Sequence, residues 1–195
     1  MRIEGTSTDG GLNIARVNKE GQLKTRSISA TETEHSVDEG DAFQVYTGVL
    51  NIANDSPTAV LYIENNDTSD IIVTSATIGS GASTGGANNT VLVESVANTA
   101  ASDDIVQNGT DVPFINRNGG ASRQFSGVCK KGPSLAATNG VPISGELGEY
   151  TKGQQISLTN IIPKGGNLAL QITPPVGNTS IDFTVVVSFH VIEVI

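Results

Sequence analysis

The stretch SIDFTVVVSFHVIEV (180–194), near the end of the chain, alternates with a period of two. Ile181, Phe183, Val185, Val187, Phe189 and Val191 fall on one side, and Asp182, Thr184, Ser188 and His190 on the other. Successive side chains of a strand point to opposite faces, so the stretch predicts a strand with one wholly apolar face. Such a face is stable only against a second apolar layer, which places this strand at the centre of a core.

Layers for it to pack on are plentiful. AFQVYTGVLNI (42–52), TAVLYIEN (58–65), IIVTSATIG (71–79), TVLVESV (90–96), QQISLTNIIP (154–163) and NLALQITPP (167–175) all read as strands, and TAVLYIEN is apolar on both faces. Turns fall at NNDTSD, PKGG and PVGN, where Gly, Asn and Pro supply the needed backbone geometry. GSGASTGGANN (79–89) reads as a long loop and KKGPSLAATNGVPISGELGEYTKG (130–153) as a surface excursion. FINRNGGASRQFSGVC suggests two short strands about Asn118-Gly119-Gly120. In ANTAASDDIVQNGTDV, Ser102 is placed to cap a helical turn led by Asp103 and Asp104. At 195 residues there is room for one full-sized domain. The expected architecture is all-β: a single jelly-roll-like sandwich over residues 37–195, preceded by an N-terminal arm or hairpin and acidic connector over residues 1–36.

The front of the chain differs from the rest. LNIARVNKEGQLKTRSIS (12–29) carries Arg16, Lys19, Lys24 and Arg26, and the next basic residue is Arg117. Residues 1–26 sum to +2, 27–116 to −13 and 117–195 to +2, giving the formal net charge of −9. LNIARV and QLKTRSI read as two strands about NKEG, with Leu23 and Thr25 on one side of the second. A lone two-stranded ribbon is marginal in water and needs a surface to lie on. Two readings stand: the four cations face acidic surface on an adjacent subunit or shell, or the hairpin folds back on its own domain. The acidic block is correspondingly either a solvated face or a partner for basic segments. It disfavours nucleic acid, because phosphate contacts need Lys and Arg.

No apolar run reaches the roughly 18–20 residues of a membrane span, so no membrane partner is expected. MRIEGTSTDGG lacks the apolar core of a secretory signal, and the chain reads as made in a cytoplasm.

Signatures of chemistry are sparse, and the expectation is a non-enzyme with no catalytic, cofactor-binding or metal-binding residues. The only imidazoles are His35 and His190, and the only thiol is Cys129. Lys130 and Lys131 beside Cys129 would favour a thiolate, but a lone cysteine ending QFSGVC reads better as a small buried residue. The carboxylates of NNDTSD and of Asp103 with Asp104 are calcium-type ligands without a binding-loop pattern, and read as turn residues. The glycines of GSGASTGG have GxGxxxG spacing and precede a strand, not the helix a phosphate cradle needs. With no Trp and three Tyr, the aromatic platforms of carbohydrate sites are missing.

Taken in order, NKEGQL, EGDAFQVYTGVLNI, AVLYIENNDTSDIIVTSATI and IIPKGGNLALQITPPVGNTSIDFTVVVSFHVIE resemble small virion structural proteins of tailed bacteriophages, over about residues 37–78 and 155–195. The resemblance implies a β-sandwich, often a jelly roll, acting as a capsid decoration or cement protein. It would sit as a homotrimer outside the head, bound to the major capsid protein and bridging capsomers. The implied localisation is the virion, assembled in the host cytoplasm. The alternative is a tail or fibre-tip module that recognises a host surface.

Overall fold

A computed structural model describes residues 3–6, 12–15, 36–37, 39–53, 55–85, 90–136, 139–149, 154–156 and 160–192. The chain divides into two units, Met1–Thr31 and Glu32–Ile195. The division falls a few residues before the expected boundary at 36. Ser36 belongs to the second unit: it is buried, and its carbonyl accepts the Asp41 N–H at 2.7 Å.

In the first unit, β1 (Ile3–Thr6) pairs antiparallel with β2 (Leu12–Ala15), Thr6 opposite Leu12 and Ile3 opposite Ala15. The expected pairing of LNIARV with QLKTRSI falls on residues outside the described ones. Residues 16–31, and with them Arg16, Lys19, Lys24 and Arg26, lie outside the described residues. The overlooked signal is STDGG, whose Asp9-Gly10 pair favours a tight hairpin as strongly as NKEG does.

The second unit is two six-stranded sheets packed face to face. Sheet I runs β10 (Val141–Glu149), β6 (Thr90–Ala97), β13 (Asn167–Thr173), β4 (Thr58–Asn65), β9 (Gly127–Ala136), β7 (Thr110–Asp111). Sheet II runs β11 (Gln154–Ile156), β5 (Ile71–Gly85), β14 (Asn178–Val191), β3 (Ala42–Ile52), β8 (Ile115–Asn116), with β12 (Asn160–Ile162) also on β5. Pairing is nested: β3 with β14, β4 with β13, β5 with β11 and β12, and β6 with β10, all antiparallel. The first main strand meets the last and the second the penultimate, while the chain alternates between sheets. That is a long hairpin rolled into a jelly roll. The segment between β6 and β10 adds β9 beside β4, β7 beside β9, and β8 beside β3.

β14 is central, as its pattern predicts: it pairs on both sides, and the six apolar residues from Ile181 to Val191 are all buried. Facing them from sheet I are Leu61, Ile63, Leu168, Leu170 and Ile172, in one core cluster. Phe189 sits among Phe43, Phe114 and Phe125, with ring centroids 4.9–5.8 Å from its own. β4 is buried on both faces because α1 (Asp104–Asn108) covers the outer side of sheet I. There Ile105 and Val106 pack on Ala59, Tyr62, Val96 and Ala169.

Three local expectations are corrected. Residues 79–85 are strand rather than loop, paired with β14 as far as Gly85 opposite Asn178. A Cβ on Gly79 would lie 2.6 Å from Thr184 Oγ1, so this glycine permits close strand approach rather than a turn. Residues 130–153 contain the end of β9 and all of β10 rather than an irregular excursion. The N-cap of α1 is Asp103, not Ser102. Its carboxylate accepts Ala100 N–H at 3.0 Å, Asn139 N–H at 3.1 Å and the Asn139 side-chain amide at 2.6 Å, tying α1 to the turn before β10.

Candidate interaction surface

The acids of the central block do not all face solvent. Asp41, Asp67 and Asp103 are buried. Asp41 precedes β3 in sheet II and Asp67 follows β4 in sheet I; Arg123, from the segment between β8 and β9, is ion-paired to Asp41 and lies 3.8 Å from Asp67. Asp67 also accepts the Thr68 N–H at 2.7 Å and the Ser126 N–H at 3.3 Å. Asn116 Nδ2 donates to the Gly40 carbonyl at 2.7 Å and the Arg123 carbonyl at 3.1 Å, fixing the segment that carries the guanidinium. These groups clasp the two sheets together at one end. A cleft of about 550 Å³ beside the clasp is lined by Phe43, Phe114, Asn116, Arg123 and Phe125.

The groups weighed for chemistry are held in structural roles. His190 is buried on β14. Cys129 is buried in the main core, and burial, helped by the charge of Asp111, pushes its thiol up to about 12. Lys130 and Lys131 are engaged elsewhere: their ammonium groups donate to the carbonyls of Val106 and Thr47. Among the described residues no three His, Cys, Asp or Glu side chains gather where they could hold a metal ion. No helix among them is long and apolar enough to cross a membrane.

Cys129 yields a prediction. A thiol reagent such as DTNB leaves the native protein unlabelled at pH 8 and labels it stoichiometrically once urea unfolds it; rapid labelling of native protein would contradict the burial. The sign for stability follows from the raised folded value. Between about 9 and about 12 the unfolded thiol is ionised while the folded one keeps its proton, so this residue's contribution is intact below about 9 and falls as pH rises.

Among the described residues, the most exposed apolar surface on a regular element is β10. Every residue from Val141 to Leu147 is exposed, including Val141 at 58%, Ile143 at 48% and Leu147 at 67%. β10 ends its sheet, with β6 as its one hydrogen-bonded partner among the described strands, and a bulge lies between Pro142 and Ser144. An edge strand offers backbone N–H and C=O groups to an incoming strand, and natural proteins usually blunt such an edge. Pro142 and the bulge blunt one end of this one; Gly145 to Leu147 continue in regular register with Glu94 to Leu92. Sequence reading missed β10 because Pro142, Gly145 and Gly148 resemble loop punctuation.

A second, smaller feature lies on the outer face of sheet II. Val49, Gly79, Gly81, Asp182, Phe183 and Thr184 border a groove of about 290 Å³. No protein-family model matches the chain, and a search of curated proteins finds no match.

Proposed function

We propose that this protein is a non-enzymatic structural component of a tailed-phage virion that decorates the outside of the head as a homotrimer and bridges subunits of the major capsid protein. The observation that carries this reading is the exposed apolar strand β10, at the end of its sheet among the described strands, on a sandwich clasped by internal ion pairs. A cement protein needs a rigid body with an extended contact surface, and strand addition at an edge supplies affinity through main-chain hydrogen bonds. The acidic body with its cationic front segment fits the same role, since complementary potentials fix the register between subunits. The segment order that resembles phage virion proteins supports a phage particle as the setting.

The test is co-sedimentation of purified full-length protein with undecorated capsid shells of the phage concerned. The expected result is saturable binding that raises the temperature at which the shells disassemble, with binding lost on deleting residues 1–36. Failure to bind shells, with retention on tails or host cells, overturns the reading. Undiminished binding by the deletion variant overturns the role given to Arg16, Lys19, Lys24 and Arg26.

A further inference from the structure

We propose that Asn118 is a site of spontaneous covalent modification, at which the side-chain amide is lost through a cyclic imide formed with Gly119. The inference is independent of the role proposed above.

The chain contains three Asn-Gly pairs, beginning at Asn108, Asn118 and Asn139. In such a pair the glycine amide nitrogen can add to the asparagine Cγ. That C–N bond forms, the Cγ–Nδ2 bond breaks, and ammonia leaves carrying the proton from the glycine nitrogen. Water then opens the imide at either carbonyl. One opening gives aspartate; the other gives isoaspartate, with the backbone rerouted through Cγ. Glycine favours the closure because it has no Cβ to restrict its backbone or shield its nitrogen. What separates the three pairs is their freedom to close the ring.

Two of them are held. Asn108 ends α1, where its Nδ2 donates to Asp104 Oδ1 at 2.5 Å. The attacking group there, the Gly109 N–H, donates to the Ile105 carbonyl at 3.2 Å. Asn139 is gripped by buried Asp103, which accepts its Nδ2 at 2.6 Å and its backbone N–H at 3.1 Å. Its neighbour Gly140 is packed so closely that a Cβ would collide with the Ala97 carbonyl and the Val96 side chain.

The pair at Asn118 lies in the open. Gly119 is exposed, nothing lies within 4 Å of where its Cβ would be, and its φ is outside the left-handed region. The Gly120 N–H donates to Asn118 Oδ1 at 3.0 Å. A donor on that oxygen stabilises the negative charge that gathers there as nitrogen adds to Cγ.

The site belongs to the segment that carries Arg123. Asn118 N–H donates to Asn116 Oδ1 at 2.9 Å, and Ala121 N–H donates to the Asn118 carbonyl at 3.0 Å. Asn116 in turn holds the Gly40 and Arg123 carbonyls. Isoaspartate lengthens this backbone by one methylene and turns the carbonyl that accepts from Ala121 into a free carboxylate. Modification therefore loosens the clasp between the sheets.

The test incubates the full-length protein at pH 8 and follows the three Asn-Gly peptides by mass spectrometry, with isoaspartate scored by isoaspartyl methyltransferase labelling. Expected is conversion at Asn118 while Asn108 and Asn139 keep their amides, and conversion at all three in urea. Native protein in which Asn118 stays amidated, or in which Asn108 or Asn139 converts as fast, overturns the proposal. Gly119→Ala has room for its methyl group and should slow the conversion about tenfold, about 1.4 kcal/mol on the barrier. An unchanged rate overturns the imide route. The isoaspartyl fraction should unfold at lower urea than the parent. Asn118→Asp, which adds the charge without lengthening the backbone, should lose less. An isoaspartyl fraction as stable as the parent overturns the loosening of the clasp.

Discussion

Phe189→Ala lowers the unfolding free energy by about 4 kcal/mol, in the middle of the range for buried aromatic truncations. Phe189 is 1% exposed on the strand that pairs at both edges. Its ring meets Phe43 at 5.8 Å, nearly parallel, and Phe114 and Phe125 edge-on at 5.8 and 4.9 Å. Removing it leaves a cavity that three other rings cannot fill, and loses aromatic contacts worth about 0.5–1.5 kcal/mol per pair beyond area burial. The measurement is a urea titration, with Val176→Ala as the control. Val176 is 77% exposed, and its truncation should stay within about 0.5 kcal/mol of the parent. A loss below about 2 kcal/mol for Phe189→Ala would contradict the placement of β14 at the centre of the core.

Arg123→Ala has the second largest effect, a loss of about 3 kcal/mol. The arginine side chain is 35% exposed, but its partners Asp41 and Asp67 are buried, so deletion strands two carboxylates beneath the surface. Breaking a buried pair by removing one partner typically costs about 3–5 kcal/mol, and the partial exposure of the guanidinium places this case at the low end. Arg123→Lys should recover little of the loss, because a compact ammonium lacks the fork that reaches two carboxylates. Double-mutant cycles with Asp41→Asn and Asp67→Asn would show coupling to both. An Arg123→Ala protein within about 1 kcal/mol of the parent would show that the clasp contributes nothing to holding the sheets together.

The elements legible in the sequence are those whose burial imposes a pattern. β14 has one face in the core and shows strict alternation, whereas β4 is covered on its second face by α1 and shows an apolar run. The elements that were not legible answer to other constraints. The far half of β5 is Gly- and Ser-rich because Gly79 lets β14 approach closely, and small residues look like loop when the partner strand is unknown. β10 needs no alternation because both its faces are exposed at the sheet edge.

The candidate surface was legible only as charge. Summing residues 27–116 to a uniform acidic block counted Asp41, Asp67 and Asp103 as surface, although each is consumed inside the fold by Arg123 or Asn139. The jelly-roll pairing depends on contacts between strands far apart in sequence, as between β3 and β14, so composition suggests the class but only the register shows the nesting.

The most direct test of the central claim is electron cryomicroscopy of intact particles, with density for this chain sought by its jelly-roll outline. The account predicts trimeric knobs outside the head between capsomers. Density for the chain at the tail or at a fibre tip, with the head surface bare, would contradict it.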